Sequence, residues 1–115
     1  MDRLNPMGVH YFFRSDGNIW PLMDMLFGEA KCPGFGEVDW DATMTAGRIR
    51  ERFGELVLWG NVSSITLVHG TPREVKDHCK RILDESGGVG YFLGCSNAII
   101  KGTPPANVEA MFSVR

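Results

Sequence analysis

The sequence is short of most features that assign a protein to a class at a glance. Its three cysteines, Cys32, Cys79 and Cys95, are odd in number and far apart, with no Cys-x-x-Cys pair. Such spacing suggests neither a disulfide framework nor a zinc ribbon, so reduced thiols are expected. No segment approaches the roughly 18 apolar residues of a membrane span. The opening MDRLNPMGVHYFF also lacks a charged stretch followed by an apolar run of leader length. A cytoplasmic protein without a membrane partner is the expectation. Long blocks of one charge sign are missing too. A formal net charge of -2 gives no reason to expect nucleic acid or an anionic bilayer as partner. β-Hairpin turn signals do not occur between the apolar runs.

What is present is ordinary globular material, 43% hydrophobic and 23% charged over 115 residues, enough for one core and one domain, residues 1–115. Apolar runs and helical periodicities alternate along it. Gly8–Phe13 reads as a strand, followed by the polar turn residues Arg14-Ser-Asp-Gly-Asn18. Ile19, Leu22, Met23, Leu26 and Phe27 mark one face of a helix over Ile19–Glu29, with Pro21 in its first turn. Cys32–Gly36 reads as a loop, and Glu37–Trp40 as a weak strand. A helix over Asp41–Phe53 should turn Met44, Ile49 and Phe53 inward and its arginines to solvent.

Glu55–Trp59 reads as a third strand that stops at Gly60-Asn61. Thr71-Pro-Arg-Glu74 is the clearest local signal, a capping box with proline at the first helical position. Val75, Cys79, Ile82 and Leu83 stripe that helix, and Gly87-Gly88 closes it. Gly90–Gly94 is the fourth strand, and Pro104 or Pro105 opens a last helix with Val108, Met111 and Phe112 inward. Four strand-then-helix units imply right-handed crossovers and a parallel α/β sheet, the make-up of half a (β/α)8 barrel. Helices on one side leave a bare sheet face and two free edges. Self-association would cover both.

Each strand is followed by small or polar residues: Arg14, Asp16 and Asn18; Asp39 and Asp41; Gly60 and Asn61; Cys95, Ser96 and Asn97. In β/α barrels the strand carboxyl ends make the active-site face, so these groups are expected to converge on one mouth. For any one of these motifs alone, turn and cap chemistry is the commoner use. Cys95 reads equally as a small buried hydrophobe and as a thiol or metal ligand. His10, His69 and His78 read as structural or solvated.

Taken in order, Ser15-Asp-Gly-Asn18, Gly60-Asn-Val62, Gly70-Thr-Pro-Arg-Glu-Val75 and Thr103-Pro-Pro-Ala-Asn-Val108 resemble the C-terminal part of the uroporphyrinogen decarboxylase superfamily, which also holds corrinoid-dependent methyltransferases. The resemblance implies a (β/α)8 barrel of which these are the last four units. In the methyltransferase branch the first loop resembles His-x-Cys-Gly-Asn, whose His and Cys join a later Cys to hold zinc. Here Arg14 and Asp16 stand at the first two positions, and Cys95 matches the third. Arginine does not ligate zinc, and one carboxylate with one thiolate makes a poor site. No metal or other cofactor is therefore expected. In the decarboxylase branch a substrate-binding histidine follows the last strand, where Asn97 stands here. The resemblance assigns that branch's catalytic aspartate and its arginines to the N-terminal half.

The leading expectation is a homo-oligomer that binds a small anionic ligand at the strand ends through Arg14, Asn18, Gly60, Asn61 and Asn97. The alternative is a decarboxylase- or methyltransferase-related enzyme, assembled from two half barrels or with a separately encoded N-terminal half. In it Asp16, in a partly buried mouth, serves as acid or base and Cys95 as thiol or metal ligand.

Overall fold

The computed structural model describes residues 3–114. Strands β1 (Phe13–Arg14), β2 (Gly34–Val38), β3 (Val57–Val62) and β4 (Tyr91–Cys95) form one sheet in the order β1-β2-β3-β4, and every pair is parallel. Helices α1 (Ala46–Arg52), α2 (Ser64–His69), α3 (Pro72–Ser86) and α4 (Pro105–Phe112) lie in the connections and after β4. The α/β class and the four successive parallel units are as expected from the sequence.

The ladder register sorts the sheet into two faces. Phe13, Phe35, Leu58 and Tyr91 form one cross-strand row, and Arg14, Gly36, Trp59 and Phe92 the next. The first row belongs to the core with Met23, Met44, Ile49, Val75 and Ile82. The second row looks away from it: Trp59 is 40% and Phe92 59% exposed.

Local details depart from the sequence reading for identifiable reasons. β2 begins at Gly34, inside the stretch read as a loop. A Cβ on Gly34 would sit 2.6 Å from the Phe12 ring, and one on Gly36 would sit 3.3 Å from the Trp59 ring. These glycines are strand residues that make room for aromatic side chains on the sheet. β1, an edge strand, pairs over only two residues. Between β1 and β2 the chain winds as a 3-10 turn, Trp20–Leu22, and a π-helix, Asp24–Glu29. Ile19, Met23 and Phe27 are its buried stripe, while Leu22 is exposed. Proline at position 21 supplies no backbone donor in the first turn, where none is needed.

β3 runs through Gly60 and Asn61 to Val62 rather than stopping at Trp59. α2 has no counterpart in the sequence reading; Ser63 caps it by accepting the Thr66 N–H at 3.1 Å. α3 follows its signals closely: Thr71 accepts the Glu74 N–H at 3.2 Å, Val75, Cys79 and Ile82 are buried, and left-handed Gly87 ends it. In α4, Met111 is buried and Phe112 is exposed. Arg50, expected in solvent, donates instead to the carbonyls of Gly54, Leu56, Ser86, Val89 and Gly90. It joins the ends of α1 and α3 to the starts of β3 and β4.

Candidate functional site at the strand carboxyl ends

β1 delivers Arg14 to the bare face at the carboxyl end of the sheet. Its guanidinium carbon lies 5.0 Å over the Trp59 ring, a cation–π contact. The indole is seated against glycines of both neighbouring strands: Cβ atoms on Gly36 and Gly94 would approach it to 3.3 and 3.0 Å. Arg14 Nη2 also donates to Glu37 Oε1 at 2.5 Å.

Glu37 reaches Arg14 through an irregularity in β2. The ladder to β3 shifts register between Gly36 and Val38, and Glu37 has a left-handed backbone, φ 64°. Such irregularities re-aim side chains, and left-handed non-glycine residues concentrate where function holds them. Glu37 is the polar group of this mouth that the sequence reading missed. A glutamate in a short apolar strand is a weak signal, and its register opposite Arg14 has no sequence signature.

Around this pair runs a cleft of about 280 Å³, whose polar lining is Arg14, Glu37, Cys95 and Asn97. Trp59, Leu93, Ile99, Met111 and Phe112 supply its apolar wall. Asn97 Nδ2 donates to Asp16 Oδ2 at 3.4 Å, which brings the first and last strand-end loops together. Two further bonds hold the rim. Asp39, nearly buried, accepts the Gly17 N–H at 2.9 Å, and Ser96 Oγ accepts the Trp40 N–H at 3.2 Å.

Arg14, Cys95 and Asn97 thus line one cleft, with Asp16 at its rim. Asp16 is exposed, not in the partly buried mouth anticipated for it. Burial pushes the Cys95 thiol up; a backbone hydrogen bond opposes this, and Glu37 adds to the rise. This environment favours the protonated thiol over the nucleophilic thiolate.

Three other expected residues are elsewhere. Asn18 Oδ1 accepts the Trp20 N–H at 3.0 Å and so caps the following turn. Gly60 is buried in β3 at φ 123°, where a Cβ would lie 3.1 Å from Val38 N. Asn61 is fully buried and points back into its own fold: it accepts the Ala46 N–H at 2.9 Å and donates to the Met44 and Val38 carbonyls at 2.7 and 3.3 Å. The side chains of Asn18 and Asn61 satisfy backbone groups rather than the mouth.

Zinc does not fit this donor set. A fixed guanidinium stands against Glu37 and repels a dication, and the Cys95 thiol is biased toward its protonated form. Among the described residues no three His, Cys, Asp or Glu side chains gather at a metal-binding spacing.

Parallel strand-helix units with a polar cleft at the strand carboxyl ends define a protein of β/α-barrel type. The family model described as Uroporphyrinogen decarboxylase (URO-D) matches residues 1–115, and the chain belongs to that family. No curated protein matches it. Among the described residues no helix is long and apolar enough to cross a membrane.

Proposed function

We propose that this chain is a ligand-binding β/α unit of the URO-D family which associates with a second copy and takes a small carboxylate into the strand-end cleft. The observation that carries this reading is Arg14, held over Trp59 at the mouth of a cleft whose remaining wall is largely apolar. One cation beside an aromatic floor suits an anion with an apolar body, and guanidinium recognises carboxylate through paired hydrogen bonds. Asn97 and Asp16 complete the polar rim.

Calorimetric titration with phenylacetate, and with neutral phenylacetamide as its control, tests this. The acid should bind more tightly than the amide. Arg14→Met should weaken the acid by about tenfold or more, the effect of losing a hydrogen bond to a charged group. Equal binding of acid and amide, or no binding of either, refutes the reading.

An enzymatic second reading rests on the contact between Asn97 and Asp16. It makes Asp16 the proton-transfer group, with the rest of a barrel supplied by a second copy or a separately encoded N-terminal half. The upward shift of the Cys95 thiol and the exposure of Asp16 weigh against it.

A further inference from the structure

We infer that Glu37 sets the specificity of this cleft, and that its ligand is a carboxylate carrying a hydroxyl or ammonium donor on the adjacent carbon. The inference rests on the reading of Arg14 as the carboxylate-binding group. Glu37 Oε1 lies 2.5 Å from Arg14 Nη2, so it occupies one edge on which a ligand carboxylate would bond the guanidinium. Binding at that edge is an exchange: the internal carboxylate leaves Nη2 as the ligand's arrives.

Two features keep the displaced Glu37 beside the ligand. Its backbone is fixed in the left-handed conformation at the irregularity of β2, and its side chain is only 26% exposed. A simple carboxylate on Arg14 then faces a second carboxylate that has lost its donor, and the like charges repel. A ligand with a donor next to its carboxylate repairs both faults, because the donor bonds Glu37 while the carboxylate bonds Arg14. Trp59 keeps Arg14 in place throughout, since the cation–π contact does not involve Glu37.

The latch is a filter rather than a lock. Arg14 is 53% exposed on its side chain, and half-exposed ion pairs contribute little. Removing the charge of Glu37 should therefore tighten a simple carboxylate by only about three- to fivefold.

Mandelate and phenylacetate, which differ only by the α-hydroxyl, are the probes. On the intact chain mandelate should bind more tightly than phenylacetate. On Glu37→Gln, phenylacetate should gain about three- to fivefold, and the mandelate preference should shrink. Glu37→Asn, whose side chain tolerates the left-handed backbone and is too short to keep the latch, should behave alike and covers a folding failure of the first variant. Near-ultraviolet circular dichroism checks the fold of each. If both acids bind in an Arg14-dependent way but without preference, or if the Glu37 variants change nothing, the latch is wrong and the carboxylate site stands. If neither acid binds better than phenylacetamide, both are wrong.

Discussion

Asn61 ties β2 and α1 to β3 from the interior of the fold. Its amide is fully buried, and its three bonds reach Val38 at the end of β2 and Met44 and Ala46 at the start of α1. Replacing it with alanine leaves one buried donor and two carbonyls without partners. Groups stranded in this way cost about 1–3 kcal/mol each, reduced where the backbone relaxes. Asn61→Ala should therefore lose roughly 3 kcal/mol of stability, read as a lower urea midpoint at unchanged slope. A variant as stable as the parent would show that the loop between β2 and α1 does not depend on this side chain. The same residue shows the limit of sequence reading at this scale. A polar side chain at a strand end looks alike whether it faces a ligand or bonds its own backbone. Arg14 and Cys95 were legible as mouth residues; Asn18, Gly60 and Asn61 looked equally suited and serve turns, ladders and caps.

Among the elements, α3 was readable almost residue by residue, because capping box, apolar stripe and terminal glycine agree. α2 was not, since six residues capped by one serine carry no periodicity to detect. The link between these helices was hidden as well. His78, read from the sequence as structural or solvated, accepts the Ser63 N–H through Nε2 at 2.9 Å, just ahead of α2. Trp40 packs edge-on against it, with ring centroids 4.6 Å apart, and Arg81 lies over Trp40. Only a neutral imidazole accepts that bond. Burial lowers the His78 pKa below 6.5; Asp41 and Glu85 oppose this and Arg81 reinforces it. The unfolded chain therefore takes up the proton more readily than the folded one. The contribution of His78 to stability is complete above about pH 6.5 and is lost as pH falls toward and through the folded value. His78→Gln keeps an acceptor that does not titrate. Between pH 8 and 5 the parent should lose stability more steeply than this variant in urea denaturation. Parallel curves would mean that protonation of His78 does not touch the junction of α2 and α3.

At the scale of the whole molecule, the succession of four parallel units was legible, because apolar runs and helical periodicities alternate without competing turn signals. How the second sheet face is filled was not, because it depends on which residues share a register row. That face holds Phe12, Trp59 and Phe92, with Phe12 meeting the other two edge-on at 6.3 and 6.1 Å. The radius of gyration is 14.5 Å, against about 13 Å for a compact domain of this length. Parallel sheets are normally covered on both faces, and contiguous exposed aromatic groups mark association surfaces. A twofold axis running along the strands would set β4 of one copy beside β1 of another, twice, and would close both faces around one interior. Phe92 suits a test, because it lies on the bare face and its change leaves the helix-side core untouched. Sedimentation equilibrium should find a dimer for the parent and a monomer for Phe92→Asp, with matching far-ultraviolet circular dichroism. A folded, monomeric parent would rule out self-association. A parent that dimerises only alongside a separately encoded barrel half would give the same face a different partner. A variant that still dimerises would place the interface away from this aromatic face, and the symmetric closure of the sheet would have to be given up.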